Sequence, residues 1–163
     1  MKFDINQKIF ADFEAFESTL RQWRTNSEKI VFTNGCFDII HHGHVDSLMK
    51  SSEYGTRLIV GLNSDESVRQ LKGKGRPVLN VEARANMLAA FVFVDAVIIF
   101  NEETPAELIS RILPDVLLKG KEYELHEIAG HETVLEHGGI VETLDLVTGI
   151  STSELIDRIK NLD

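Results

Sequence analysis

The sequence predicts a doubly wound α/β domain on a parallel, five-stranded sheet, and three observations lead there. Short apolar runs alternate with amphipathic segments from about residue 28 onward, and strand-helix repetition of that kind builds a parallel sheet covered on both faces. The chain has 163 residues, 43% of them hydrophobic, which is one ordinary domain's worth with enough apolar material for a core free of disulfides or structural metal. Its three prolines, Pro77, Pro105 and Pro114, each fall near an expected element boundary.

Taken in order, the stretch 11–24 places Phe13, Phe16, Leu20 and Trp23 at helical three-or-four spacing with acids opposite, a helix whose aromatics serve as core contacts. It belongs to a helical lead-in over residues 1–27, ahead of the main domain at 28–163. Buried strands are expected at 30–32, 58–62, 96–100, 116–118 and 140–144. Helices are expected at about 44–53, 64–71, 81–92, 105–113 and 127–137, with a last one after Ser151. Asn80, Thr104, and Ser151 with Glu154 three residues on, supply start signals.

Composition narrows the function. Seventeen Lys plus Arg against twenty-six Asp plus Glu give a net charge of −9, which disfavours nucleic acid and anionic membrane as partners. No apolar run approaches the roughly 18 residues that span a bilayer, and the start MKFDINQKIF lacks the layout of a signal peptide. Cys36 is the only cysteine, so an intrachain disulfide or a multi-thiolate zinc site is excluded, and the expected location is a reducing cytoplasm.

In a doubly wound sheet, ligands bind beyond the carboxyl ends of the strands. The loop after the first long strand reads Asn34-Gly35-Cys36-Phe37-Asp38-Ile39-Ile40-His41-His42-Gly43-His44 and holds half the chain's histidines. His41 and His44, three apart where a helix begins, project to one side, and Gly43 between them removes a side chain that would block a ligand. Imidazoles beside the free N–H groups of a helix start can donate to a phosphate. Two other readings stay open, a solvated loop and a metal site helped by Cys36 and Asp38. His42 is expected to be exposed. Cys36 could be a nucleophile activated by His41, or a small residue packed under the loop.

Further along, residues 67–81 carry Arg69, Lys72, Lys74 and Arg76 without one acid, and Gly73 and Gly75 make the segment flexible enough to fold over a polyphosphate, or to form a solvated loop tip. Arg84 in the next helix could point the same way or lie on the surface. Lys119-Gly120-Lys121 follows a strand, and Ser151-Thr152 opens the last helix, as a phosphate- or base-holding start or a simple N-cap.

In this order, Asn-Gly-Cys-Phe-Asp, His-x-Gly-His and a late Gly-Ile-Ser-Thr resemble the cytidylyltransferase-like branch of the nucleotidyltransferase superfamily, with its Rossmann-like fold. Within it, NGCFDIIHHGH, RLIVGLNSDESVRQLKGKGRPV, EETPAELISRILPDVLLKG and HEIAGHETV are similar to the adenylyltransferase half of the bifunctional heptose kinase/adenylyltransferases that make ADP-heptose. The resemblance runs over about 28–159. It implies transfer of AMP from ATP to D-glycero-β-D-manno-heptose 1-phosphate, with release of pyrophosphate and with Mg²⁺ accompanying ATP. It implies that His41, His44 and Lys72 act on the reacting phosphates. Asn34, Gly35, Cys36, Phe37, Asp38 and Gly43 would shape the turn around the nucleotide, and Arg84, Lys119, Gly120, Ser151 and Thr152 would complete its site, with no protein metal ligand assigned. A homodimer and a separate heptose kinase supplying the sugar 1-phosphate are further expectations, for lipopolysaccharide or another glycan. Two features depart from relatives. Lys119-Gly120-Lys121-Glu122-Tyr123 stands where the family has Lys-Gly-Gly-Asp-Tyr, and Leu146, Val147 and Thr148 stand where glycerol 3-phosphate cytidylyltransferases carry Arg-Thr-Glu. The alternatives are a CTP-dependent enzyme acting on glycerol 3-phosphate or another alcohol phosphate, and a non-catalytic nucleotide- or metal-binding module.

Overall fold

A computed structural model describes residues 4–162. After a 3₁₀ turn at Ile5–Lys8 come β1 (Ile9–Phe10), α1 (Phe13–Thr25), β2 (Ile30–Gly35), α2 (His42–Ser52), β3 (Arg57–Asn63), α3 (Asp65–Lys72) and α4 (Val81–Ala89). The chain continues through β4 (Ala96–Phe100), α5 (Ala106–Ile112), β5 (Val116–Gly120), a second 3₁₀ turn at Leu125–Glu127, α6 (His131–Glu136), β6 (Ile140–Leu144) and α7 (Thr152–Lys160). The strands form one parallel sheet in the order β1-β4-β3-β2-β5-β6.

The expected α/β architecture is therefore present, but the sheet has six strands rather than five. The additional strand is β1, whose Ile9 and Phe10 pair with Val97 and Ile98. Two residues are too few to show a strand period. β1 is held by its surroundings instead: Phe10 packs edge-on to Phe16 at 5.0 Å, and the Lys8 ammonium donates to the carbonyls of Phe91 and Val94 at 3.1 and 2.7 Å. Other boundaries shift by small amounts. α2 begins at His42, α4 ends at Ala89, and α6 is shortened to His131–Glu136 because the 3₁₀ turn and Gly130 precede it. Thr104 does not cap α5. The helix starts from Pro105, without a side-chain cap.

Side chains alternate along the strands, as the two-residue period requires. Ile30, Phe32, Ile59 and Leu117 face α1, α5 and α6, where Phe16, Ile109 and Val134 meet them. Val31, Val60, Leu62 and Leu118 face the other way, onto Leu48 of α2 and Ala85 and Leu88 of α4. α1 presents the predicted stripe: Phe13, Phe16, Leu20 and Trp23 are all buried, and the Asp12 carboxylate caps the helix by accepting from the Ala15 N–H at 2.8 Å. Truncating a side chain as enclosed as Phe16 to alanine costs about 3–5 kcal/mol.

The feature that positions the site is an unequal pairing at β2. Toward β3 the ladder runs from Ile30 opposite Arg57 to Gly35 opposite Leu62. Toward β5 it holds only Val31 opposite Val116 and Phe32 opposite Leu117. Beyond Phe32 these two strands part, and a cleft opens between their carboxyl ends. The chain runs outward from β2 through β3 and β4 on one side and through β5 and β6 on the other, so the opening is the topological switch point. No helix among the described residues is long and apolar enough to cross a membrane.

Candidate active site

The cleft has a volume of about 590 Å³, the scale of a nucleotide-sized ligand. It gathers Asn34, Gly35, Cys36, Phe37, Asp38, His41, Gly43 and His44 from the turn after β2, Lys72 from the end of α3, Lys119 and Gly120 from β5, and Ser151 and Thr152 from the start of α7. Of the residues expected to form a site, Arg84 alone stays outside it.

His41 is the N-cap of α2 and His44 its third residue, and the two rings close the helix start reciprocally. Nδ1 of His41 accepts from the Gly43 N–H at 3.1 Å, and Nδ1 of His44 accepts from the His41 N–H at 3.3 Å. Because each Nδ1 is an acceptor, each neutral ring carries its proton on Nε2. The rings stack at 3.8 Å. A Cβ on Gly43 would lie 3.0 Å from His41 Cε1 and 3.3 Å from Ile150, so only glycine leaves the His41 ring where it is. Burial holds the His41 imidazole below its ordinary pKa, with His42 adding to the effect. It pushes His44 down to about 4, helped by His41 and opposed by Asp38. Both rings are thus neutral N–H donors at pH 7. His42 is exposed.

Phe37 seats this pair. Its ring fills the space over Gly35, 3.1 Å from where a Cβ would stand, and its centroid lies 5.4 Å from that of His44.

Across the cleft, the Lys119 ammonium donates to the Asn34 carbonyl at 3.1 Å, bridging β5 to β2 where their ladder has ended, and sits 5.1 Å from the Tyr123 ring centroid. Burial lowers its pKa. Lys121 points away, paired with Asp145 at 2.8 Å on the surface. In the basic segment, Arg69 pairs with Glu66 at 3.0 Å and Arg76 with Asp38 at 2.7 Å, so the cations do not fold over the cleft as a group. Lys72 makes no ion pair among the described residues and lines the cleft.

Arg84 is fully buried. Its guanidinium donates to the carbonyls of Leu79, Cys36 and Asn63 at 3.0, 2.7 and 2.8 Å and to the Asp65 carboxylate at 2.7 Å. The expected phosphate contact is therefore not available to it. It straps the ends of β2 and β3 together behind the cleft. Cys36 borders the cleft, where burial raises its thiol pKa despite the nearby Lys72 and Arg84. That disfavours an activated nucleophile. Ser151 caps α7 by accepting from the Glu154 N–H at 3.2 Å.

Two contributors escape the sequence pattern, Tyr123 beneath Lys119 and Ile150 against Gly43. Both lie in motifs quoted above, but Ile150 matters through a neighbour 107 positions away, and the Lys119–Tyr123 contact depends on how the chain turns after β5. Among the described residues no three His, Cys, Asp or Glu side chains are grouped to hold a metal ion. In the histidine loop both Nδ1 atoms and the Asp38 carboxylate are already engaged in hydrogen bonds.

Comparison with known proteins adds three observations. The cytidylyltransferase-like family model matches residues 32–158. The bifunctional protein HldE of Bradyrhizobium diazoefficiens is 47% identical over 154 residues, covering 94% of this chain and 31% of that protein. This chain thus spans about a third of the length of the curated relatives it matches. Among solved structures, the lipopolysaccharide core biosynthesis protein from Thermoplasma volcanium superposes with a TM-score of 0.60 at 24% identity, over 74% of this chain and 97% of that one. Pantoate-beta-alanine ligase from Francisella tularensis, complexed with beta-gamma ATP and beta-alanine, gives 0.60 at 11% identity, over 94% and 78%. Both likenesses are of fold.

Proposed function

This chain belongs to the cytidylyltransferase-like family of nucleotidyltransferases, and from that premise we propose that it transfers AMP from ATP to D-glycero-β-D-manno-heptose 1-phosphate. The observation that carries the chemistry is the pair of neutral Nε2–H donors at the start of α2, with Lys72 and Lys119 lining the same cleft. A phosphate oxygen of the sugar phosphate attacks the α-phosphorus of ATP, the α–β bridging P–O bond breaks, and pyrophosphate leaves with that bond's electrons. The attacking oxygen is already anionic, so no base is needed. What remains is positioning and neutralising charge on the phosphoryl oxygens. His41 and His44 donate to oxygens of the α- and β-phosphates, Lys72 and Lys119 offset charge on the leaving group and acceptor, and Ser151 with the first turn of α7 holds the nucleoside side. Mg²⁺ would be held chiefly by the substrate's own phosphates, since no three ligating side chains are grouped among the described residues, and it would help to neutralise charge on the leaving phosphates.

Two lines support the finer assignment. The 47% identity to a protein named HldE favours the ADP-heptose branch. Leu146 borders the cleft with an apolar side chain where the CTP branch carries an arginine. The kinase chemistry that supplies the acceptor is assigned outside these 163 residues.

The deciding experiment measures pyrophosphate release for ATP, CTP, GTP and UTP against heptose 1-phosphate, other sugar 1-phosphates and glycerol 3-phosphate, with Mg²⁺. Fastest release with ATP and heptose 1-phosphate is expected. Equal or faster release with CTP and glycerol 3-phosphate overturns the substrate assignment, and no release with any pair overturns catalysis.

A further inference from the structure

An acidic residue beside a phosphate site is out of place unless its charge is used elsewhere. The Asp38 side chain is wholly buried, and its carboxylate accepts from Arg76 Nε at 2.7 Å, from the Val78 N–H at 2.8 Å and from the Leu79 N–H at 3.0 Å. Its own carbonyl accepts from Thr152 Oγ1 at 2.7 Å, across 114 positions of sequence. The backbone on either side is left-handed, with φ of 46° at Phe37 and 52° at the β-branched Ile39. Each such residue costs about 1–3 kcal/mol and persists only where its surroundings over-determine it. Those surroundings are the bonds just given, together with the Arg84 strap from Cys36 to Leu79. One residue thus touches three pieces of the cleft: the histidine turn it belongs to, the segment that follows Lys72, and the first residue of α7.

We propose that Asp38 is a positioning residue that couples the two walls of the cleft, so that the Lys72 segment and the start of α7 are held against the histidine turn together rather than separately. Its buried carboxylate acts through Arg76, Val78 and Leu79, and its main-chain carbonyl through Thr152. The coupling stands on the hydrogen bonds alone. Its kinetic consequence rests on the nucleotidyltransferase reading.

The test uses the full chain as parent, Asp38→Asn, Arg76→Gln, Thr152→Val and the double variant Asp38→Asn/Arg76→Gln. Amide exchange in the ligand-free protein reads the coupling directly. Thr152→Val touches neither the Val78 nor the Leu79 amide, yet should speed their exchange about fivefold or more. Asp38→Asn should do the same for the Glu154 and Leu155 amides, which bond to Ser151. β2 amides should stay protected in both. If each variant loosens only its own wall, or all amides loosen alike, the proposal is overturned. Kinetics follow with whichever nucleotide and acceptor the parent turns over. Asp38→Asn and Arg76→Gln should each lower kcat about tenfold and raise the nucleotide KM, and the double variant should be no worse than either by more than about twofold. Effects that multiply, or kcat and KM within about twofold of the parent, overturn it. Should Asp38→Asn not fold, Thr152→Val and Arg76→Gln carry both readouts. A parent that turns over no nucleotide removes the adenylyl-transfer reading, while the exchange result still decides the coupling.

Discussion

The main-chain N–H of His41 donates to Nδ1 of His44 across 3.3 Å, so the two rings that face the cleft also cap the helix that presents them. Local structure and chemistry share the same atoms there, and each ring's tautomer is set by a backbone bond. Changes at this pair should be visible both in turnover and in stability.

His44→Ala should lower kcat about a hundredfold or more, the scale of losing a donor aimed at transition-state charge. It should also cost about 1 kcal/mol of stability through the lost cap. Pyrophosphate release and chemical denaturation measure the two. A variant with parental turnover would remove His44 from the chemistry.

Acid should destabilise the fold through His44. Burial holds its pKa near 4 in the folded chain, against an ordinary value of 6.5. Between those values the unfolded chain binds the proton and the folded chain does not, so stability rises with pH across the window and is lost as pH falls from 6.5 toward 4. Denaturation midpoints at stepped pH should show this slope, and His44→Gln should flatten it. An unchanged slope in that variant would assign the effect to other groups.

Cys36→Ala should leave kcat/KM within about threefold of the parent, because Arg84 uses the Cys36 carbonyl rather than the thiol. Since burial raises the thiol's pKa, alkylation at pH 7 should be slower than that of a free thiol. Abolished turnover in a folded Cys36→Ala protein would restore a covalent mechanism.

Arg84→Met should cost about 3–5 kcal/mol of stability, since it leaves three carbonyls and the Asp65 carboxylate without their donor. Arg84→Lys should recover only part of this, one ammonium being unable to span all four acceptors. A stable Arg84→Met protein with a raised nucleotide KM alone would return Arg84 to the phosphates.

What the sequence made legible was whatever repeats locally. The strands at 58–62 and 96–100 fall within or coincide with β3 and β4, because continuous apolar runs are what a sheet buried on both faces requires, and 140–144 coincides with β6, an edge strand with Val141 and Leu144 buried. The stripe on α1 and the histidine turn were readable for the same reason. The rest depends on partners far away in the chain. β1 is a strand only because Val97 and Ile98 offer an edge. Arg84 looks like any surface arginine until Cys36, Asn63 and Leu79 turn their carbonyls to it. Asp38 and Arg76, 38 positions apart, give no hint in sequence that each cancels the other's charge.

α7 has no buried residue, and the side chain of its first residue, Thr152, bonds the Asp38 carbonyl. Its order is therefore governed by its first turn rather than by the core, which makes it a low-energy unit of opening in a body otherwise fixed by packed strands. A ligand bridging Ser151 to the histidine turn would deliver its binding free energy to that unit. The protection of the last helix would then be a gauge of cleft occupancy, readable at the end of the chain without any assay of the reaction.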